Sequence, residues 1–361
     1  DKAGNSASDT IQFAWDTTAP LVTQVIPIGT PTNDTTPSYV FNVDSVKQLV
    51  ASIGGGITYG GSCGNGTPAS AVAGSNTATY GSPTLADAIY ADCTIVVTDA
   101  AGNANLALAV PSFEIDTLVA LVSSITTTDA NLDGMVDTAT IVFTEAMKDS
   151  TFNFADFSIG GIPATTFSTG ITANDATVVL SHAGVAGTEA KTVAYVPGTM
   201  ITDLAGNIRT AFTSGSLDAA KPVLLSARTI SQTQVTATFS EDLDGNTVND
   251  SGNEFTVTGY AVSVPTSELN GVVTLTVATM PTNATPLVTY TQVDTLRDLA
   301  PVWNTAVTPT TVTATDGVDP VISPVSISSN NANDPAQYAK EGDIVSVTFS
   351  TSEDVTIPNA T

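Results

Sequence analysis

The sequence has little of the side-chain chemistry that enzymes use. Its 361 residues include one histidine and two cysteines. His182 follows Ser181 in a stretch that reads as a polar turn without a nucleophile elbow, so a Ser-His catalytic site is not expected. One histidine and two cysteines cannot fill a tetrahedral zinc site, and Gly54-Gly55-Gly56 lacks the lysine and the helix of a phosphate-binding loop. The sequence therefore predicts a protein without catalytic activity.

Basic residues are also scarce. The chain has 9 Lys and Arg against 35 Asp and Glu, a formal net charge of -26. Nucleic acid and anionic membrane surfaces are disfavoured as partners, since both require basic patches. No apolar run reaches the roughly 20 residues of a membrane span, so no span is expected in this segment. The acidic excess suits a soluble surface that binds divalent cations.

Long helix-forming side chains are few, whereas Thr, Val, Ala, Ser, Gly and Asn are plentiful. This bias favours strands and turns over helices. Between residues 17 and 117 about seven short apolar runs alternate with Gly- and Asn-rich turns, the pattern of a β-sandwich. The predicted fold class is all-β.

One arrangement recurs along the chain. An Asp-x-Ala-Gly-Asn turn leads into an apolar strand and then into an Asp-rich junction, and the positions equivalent to Pro20 are 120, 222 and 320. Spacings of 100, 102 and 98 residues indicate a tandem array of similar domains. The sequence has no start Met or signal peptide, so we expect a segment of a longer polypeptide. The predicted domains are 1–16 (the last strand of a preceding domain), 17–117, 118–218, 219–317 and 318–361 (the first strands of a further domain).

The recurring turn has a simple conformational explanation. In Asp1–Asn5, Asp203–Asn207 and their copies, Asp accepts backbone N–H bonds and Gly supplies a left-handed residue. The alternative is calcium ligation by the Asp or Asn of these turns. After the first copy, Ile11, Phe13 and Trp15 alternate as a half-buried strand should.

The strongest chemical signal is a DxNxDGxxD run in the 118–218 domain. Side-chain oxygens at alternate positions, followed by Gly134, favour a loop around one calcium ion. Position 12 is Thr140 instead of glutamate and a strand follows, so this is not an EF-hand; Glu145 is a candidate for the missing carboxylate. The alternative is a solvated acidic loop. The predicted ligands are Asp129, Asn131, Asp133, Asp137 and the carbonyl of Met135.

Two further features are weaker candidates. Phe239-Ser240-Glu241 in the third domain matches Phe143-Thr144-Glu145, and its acidic loop is a second place for a cation. Lys191 is the best candidate for an intramolecular isopeptide bond, which would need a buried acid beside it. The acidic loop contains Asp242, Asp244, Asn246 and Asp250.

The two cysteines, Cys63 and Cys93, fall in one domain and would close a loop of about 30 residues. Such a closure stabilises by roughly 3.5 kcal/mol in the chain-entropy model. A disulfide would indicate an oxidising, extracellular setting. Two unrelated buried thiols are the alternative.

Several stretches resemble a known family. DTTAPLVTQVIPIGTPTNDTTPSYVF, ITYGGSC, YADCTIVVTDAAGN and SFEIDT resemble a tandem Ig-like repeat of large bacterial cell-surface and adhesin proteins, and the Phe-Ser/Thr-Glu strand ends resemble those of S-layer-type proteins. The resemblance implies Ig-like β-sandwich domains, a Cys63–Cys93 disulfide, and extracellular stalk or adhesion modules without catalysis. Leu118-Val119-Ala120 departs from the Thr-Ala-Pro that the family has at this junction.

These observations predict a calcium-stiffened stalk, adhesin or fibre on the bacterial cell surface. Its expected partners are neighbouring repeats or copies of itself, in a filament or an S-layer, and a glycan or protein receptor. The alternative is a set of glycan-binding accessory modules of a secreted polysaccharide-active enzyme. Such sites display exposed aromatics, and the two tryptophans are Trp303 and Trp15, the latter in a buried-strand pattern.

Overall fold

The computed structural model describes residues 2–4, 6, 8–10, 15–44, 56–169, 172–248, 254–263, 267–291, 296–333 and 338–356. In these ranges nearly all regular structure is β-strand. The helices are two short 3-10 turns, Asp149–Thr151 and Phe154–Asp156. No helix of the described residues has the length and apolar character needed to cross a membrane. The predicted all-β class is confirmed.

Residues 17–117 form two main sheets. One has the strand order β1-β2-β5-β4, the other β3-β7-β8, and β6 pairs separately with β9. The strands are β1 (Val22–Ile26), β2 (Ser38–Val43), β3 (Ile57–Gly60), β4 (Asn65–Thr67), β5 (Gly74–Ser82), β6 (Ala88–Tyr90), β7 (Thr94–Val97), β8 (Leu108–Ala109) and β9 (Phe113–Ile115).

Residues 118–218 repeat this plan. One sheet has the order β14-β15-β11-β10-β18 and the other β13-β12-β16-β17. The strands are β10 (Val122–Thr128), β11 (Met135–Phe143), β12 (Phe157–Ile159), β13 (Ile162–Pro163), β14 (Thr166–Ser168), β15 (Thr177–Ala186), β16 (Thr192–Tyr195), β17 (Phe212–Gly215) and β18 (Leu217–Asp218).

In residues 219–317 the last strand joins both sheets, which gives the continuous order β21-β24-β25-β19-β20-β23-β22. A further hairpin, β26 with β27, follows. The strands are β19 (Leu224–Ser231), β20 (Gln234–Phe239), β21 (Phe255–Val257), β22 (Ser267–Leu269), β23 (Val272–Thr276), β24 (Leu287–Tyr290), β25 (Thr310–Thr315), β26 (Ile322–Ser329) and β27 (Val345–Thr351).

The strand order is that of an immunoglobulin-like sandwich. In the first two complete repeats the first, second, fifth and fourth strands of the fold (A, B, E and D) lie in one sheet, and C, F and G lie in the other. The third repeat keeps the same neighbours, and its G strand, β25, also pairs with the A strand, β19. The two sheets of the second repeat share a core: the ring of Phe152 lies 6.1 Å from Phe143 of β11 and 6.0 Å from Phe157 of β12. The Ig-like sandwich prediction is therefore confirmed.

Strand alternation explains where the core lies. In β2, Tyr39, Phe41 and Val43 are fully buried and their neighbours are more exposed. Successive side chains of a strand point to opposite faces, so this pattern puts one face on the core. Cys63, at the end of the C strand, and Cys93, just before the F strand, form the expected disulfide, with Cα atoms 5.6 Å apart.

Two expectations for single residues were wrong. Trp15 belongs to no strand of the described residues and is 84% exposed, whereas Ile11 and Phe13 lie outside the described residues. His182 lies within β15, not in a turn, and is buried. Polar Ser181 and Gly184 beside it concealed the strand in the sequence.

Contacts divide the chain into two compact units. The first comprises Asp1–Leu121, Glu145–Thr151 and Met200–Arg209, and the second comprises Val122–Thr144, Phe152–Thr199 and Thr210–Thr361. Two loops that belong to the second repeat in sequence are thus part of the first unit. The predicted repeat boundaries remain predictions.

Candidate functional site

The recurring Asp-x-Ala-Gly-Asn turn is built around its aspartate. Asp203 Oδ1 accepts hydrogen bonds from the backbone N–H groups of Gly206 at 2.8 Å and Asn207 at 2.9 Å. Gly206 has a φ of +99°, which glycine adopts without steric cost. The turn prediction is confirmed here, whereas Asp1 and Asn5 lie outside the described residues. The equivalent bond to the closing Asn N–H is made by Asp99 to Asn103 (2.9 Å) and by Asp298 to Asn304 (3.0 Å).

The closing Asn of each turn also binds the junction that precedes its repeat. The Nδ2 of Asn207 donates to the carbonyl oxygen of Asp116 at 2.9 Å. This bond fixes the end of one repeat against a turn of the next. The same contact joins Asn103 to Asp16 (3.2 Å) and Asn304 to Asp218 (3.4 Å).

A glutamate reaches the same place from the end of the B strand. β11 ends at Phe143, and Glu145 follows two residues later; β20 ends at Phe239, and Glu241 follows at the same distance. An isolated bridge between Met147 and Asp203 places this segment beside the turn, as a bridge between Leu243 and Asp298 does in the third repeat.

Three carboxylates therefore meet at two equivalent places. Their ligand atoms lie within 4.8 Å of one another in each group. We call Asp116, Glu145 and Asp203 the first triad, and Asp218, Glu241 and Asp298 the second triad. Each combines the Asp that ends one repeat with a Glu and a turn Asp of the next.

The first triad contains a buried oxygen without a donor among the described residues. Asp203 is 1% exposed, and no described residue donates a hydrogen bond to its Oδ2. Burial raises the pKa of Glu145 to about 7, with further contributions from Asp116 and Asp203. A buried, unpaired carboxylate oxygen costs free energy unless a cation or donor satisfies it. This oxygen is where a metal ion would be held.

In the second triad, as in the first, burial disfavours the ionised form of the carboxylates. Burial raises the pKa of Glu241 to about 8, opposed by a hydrogen bond from Thr188 Oγ1 at 2.5 Å and reinforced by Asp218 and Asp298. The pKa of Asp218 is raised to about 6, again chiefly by burial. Asp298 is 1% exposed. The negative charge at this site is thus poorly compensated by the protein itself.

The geometry of both triads suits a hard dication. Two unit charges 4.8 Å apart repel by about 3.5 kcal/mol at an effective dielectric constant of 20. A calcium ion binds six to eight oxygens, and three carboxylates supply three to six of them. The positive charge of the ion offsets the repulsion between the carboxylates. The donor set contains no sulfur or imidazole, which disfavours zinc.

The other repeats contain parts of this arrangement. Ser352 and Val321 exchange two hydrogen bonds, as Ser240 and Val223 do, and this register puts Glu353 at the position of the second triad's glutamate. In the first repeat Val43 pairs with Val22 as Phe143 pairs with Val122, so the glutamate position is Ser45. Ser45 lies outside the described residues.

Sequence reasoning missed both triads, although it noted each of their motifs. Asp116 and Asp203, like Asp218 and Asp298, are at least 80 positions apart, and local spacing says nothing about such distant pairs. Aligning the repeats was the available signal, because the second and third repeats each have a Glu two residues after the B strand and an Asp at the start of the turn. Glu145 was instead considered as a ligand of the Asp129–Asp137 loop; the structure places it in the first triad.

The predicted calcium loop connects β10 and β11. Asp129 Oδ1 accepts from Leu132 N–H at 2.7 Å, and its Oδ2 accepts from Gly134 N–H at 2.8 Å. Asp133 Oδ1 accepts from the N–H of Met135, and Asp137 Oδ1 from that of Ala130. The carboxylates of Asp129, Asp133 and Asp137 do not form one of the groups within 4.8 Å. Calcium binding by this loop, with Asn131 and the Met135 carbonyl, stays a prediction.

The weaker candidates have other contacts. Asp244 accepts from Arg297 Nη2 at 2.9 Å, and Asp250 lies outside the described residues. Lys191 is buried, and its Nζ is 2.6 Å from Oε1 of Glu189, whose side chain is 60% exposed. Isopeptide chemistry at Lys191 therefore has an exposed acid beside it, not the buried one that it needs.

Comparisons with known proteins find similar solved structures but no matching protein family. No protein-family model matches the sequence, and no curated protein matches it. The structure is similar to the Escherichia coli adhesin FdeC, with 14% identity, 84% of this chain and 99% of that chain covered, and a TM-score of 0.28. It is also similar to the Bacteroides ovatus mixed-linkage glucan protein SGBP-B (14% identity, 89% and 76% covered, TM-score 0.21) and to titin fragment I67-I69 (10% identity, 82% and 99% covered, TM-score 0.27).

Proposed function

We propose that this chain is part of an extracellular bacterial surface stalk or adhesin, in which calcium ions bound by the triads stiffen the links between Ig-like repeats. The mechanism is mechanical. Each triad draws acids from the end of one repeat and from two loops of the next, so a bound ion connects consecutive repeats.

One observation carries this proposal. At two equivalent places, the Asp at the end of one repeat lies beside a Glu and a turn Asp of the next repeat. In the first triad the buried Asp203 keeps one oxygen without a donor among the described residues, which its role in the turn does not require. The disulfide supports an oxidising location outside the cytoplasm. Assembly of several copies into a filament or an S-layer is a variant of the same proposal.

Thermal unfolding with and without EGTA tests the function. Saturating calcium is expected to raise Tm by several degrees, because a ligand of the folded state stabilises it by about 2.7 kcal/mol at a hundred times its Kd. The double variant Asp203→Asn with Asp298→Asn should lose this shift. The Asp129→Ala with Asp133→Ala variant measures the separate contribution of the predicted loop. No calcium-dependent shift in the parent chain would contradict the proposal.

A second candidate function is glycan binding, which the exposure of Trp303 favours. This side chain is 62% exposed, and Arg297 lies 3.5 Å from its ring centroid. An exposed, fixed indole face suits stacking against a sugar ring. A glycan array tests this candidate: binding that Trp303→Ala abolishes would support it, and an array without binding would remove it.

A further inference from the structure

A cleft of about 690 Å³ lies beside the second triad. This volume is within the range of ligand sites. Four of its lining side chains are carboxylic acids, and none of the described lining residues is basic. Two of the acids, Asp218 and Glu241, belong to the triad, whereas Glu189 and Asp242 do not. Glu189 pairs with the buried Lys191 at 2.6 Å, so Asp242 is the lining acid whose charge neither Lys191 nor a triad-bound ion offsets.

The other wall of the cleft is apolar and open to solvent. Leu217, Leu299 and Val302 line it and are 56%, 65% and 73% exposed. Large aliphatic side chains rarely cluster in the open unless a partner covers them. Acidic and apolar surfaces thus face the same space.

A loop insertion builds this apolar wall. The turn Asp203–Asn207 has five residues, whereas its counterpart Asp298–Asn304 has seven, with Pro301-Val302-Trp303 in place of one glycine. Both turns keep the Asn contact to the preceding junction, so the additional residues leave the junction contact intact. They supply two lining residues of the cleft.

The inserted loop is held in place at its base. Arg297 stacks 3.5 Å from the ring centroid of Trp303 and donates twice to Asp244 Oδ2, at 3.2 Å from Nε and 2.9 Å from Nη2. A cation–π contact combined with a two-donor carboxylate bond restricts the loop before any ligand arrives. Pre-ordering of this kind lowers the entropic cost of binding.

We propose that the cleft binds a basic, apolar peptide segment of a partner protein. A lysine or arginine side chain of the segment pairs with Asp242, and its aliphatic side chains cover Leu299 and Val302. Charge complementarity selects this partner, because the lining offers carboxylates to a cation and no cation to an acidic ligand. The activity goes beyond the stalk function, since Asp242 does not belong to a triad.

Calorimetric titration tests the proposal with a synthetic peptide of alternating lysine and leucine, against a matched peptide of alternating glutamate and leucine. We expect the lysine peptide to bind, more weakly at high salt, and the glutamate peptide not to bind. Asp242→Asn should weaken binding about two- to fivefold, as loss of one exposed ion pair predicts. The control Asp354→Asn makes the same charge change on an exposed residue that does not line the cleft, and should leave the affinity unchanged.

The fluorescence of Trp303, measured in a Trp15→Phe background, gives a second readout. A shift on addition of the lysine peptide supports occupation of the cleft. Equal weakening by Asp242→Asn and Asp354→Asn, binding of the glutamate peptide, or binding of neutral oligosaccharides in place of the lysine peptide would overturn the proposal. Peptide binding without a calcium-dependent Tm shift would refute only the stalk mechanism, and the reverse result only this inference.

Discussion

Asp203 is the residue on which the proposed calcium site of the first triad depends most directly. Substitution with Asn keeps an oxygen for the two backbone N–H bonds of the turn but removes the charge of the buried, unpartnered oxygen. We expect Asp203→Asn to lose about half of the calcium-dependent Tm shift, because one of two triads is disabled. Asp99→Asn is the matched control. It alters the same turn in the first repeat and should keep the whole shift; an equal loss in both would contradict the assignment.

Gly134 shows how closely single atoms constrain the predicted loop. It has a φ of +86°, and an added Cβ would lie 2.4 Å from Cδ2 of Leu225. We expect Gly134→Ala to lower the free energy of unfolding by about 1–3 kcal/mol, through backbone strain and overpacking. Gly102→Ala, at a φ of +93° with open space around it, should cost less. Urea unfolding of the two variants measures the difference.

Hydrogen bonds between residues close together in the chain could be predicted from the sequence, whereas the burial of single side chains could not. The Asp-x-Ala-Gly-Asn turn needed only its own residues, so its hydrogen bonds and left-handed glycine were predicted. Trp15 and His182 were placed wrongly because their burial depends on strands elsewhere in the chain.

The loops that follow the B strands make stability depend on pH. The folded-state pKa values of Glu145 and Glu241, about 7 and about 8, lie above their usual value of 4.5. The folded state then binds more protons than the unfolded state, so stability in EGTA should fall as pH rises from about 5 to about 8. Calcium should remove this fall, because it favours the ionised carboxylates.

Melting curves across this pH range, in EGTA and in calcium, measure the effect. The variant Glu145→Gln with Glu241→Gln should flatten the EGTA profile, since neither side chain titrates. A parent chain whose Tm stays constant or rises with pH in EGTA would show that ionisation of Glu145 and Glu241 does not destabilise the folded state.

The disulfide stabilises the first repeat through its C and F strands. Its cysteines are 30 residues apart, and in the chain-entropy model closure of such a loop is worth about 3.5 kcal/mol. Cys63→Ala with Cys93→Ala should destabilise the first repeat by up to that amount. Denaturant unfolding followed by hydrogen exchange in β2 and β7 checks it, with unchanged exchange in β11 and β20 as the control.

For the whole molecule the central quantity is the number of tightly bound ions. Two triads in the described residues predict two calcium ions per chain, measured by calorimetry or by metal analysis after dialysis. Asp203→Asn should leave one ion, and addition of Asp298→Asn should leave none. An ion that survives both substitutions and disappears with Asp129→Ala would belong to the β10–β11 loop.

The overall architecture was predictable because it repeats. Alternation in runs such as Tyr39–Val43, together with the regular period, was enough for a tandem array of Ig-like sandwiches. The triads were not predictable from local spacing, since their acids meet only when one repeat ends beside the turn of the next. The turn Asp298–Asn304 is two residues longer than its counterpart Asp203–Asn207, and local spacing did not indicate that both close with the same Asn contact.

The division of each triad between neighbouring repeats bears on how such a gene can grow. A repeat such as 118–218 brings a Glu and a turn Asp to its entry and leaves one Asp at its exit, so an in-frame duplication of one such unit brings its own complete triad. Lengthening the protein and adding a triad at the new joint are then a single genetic event.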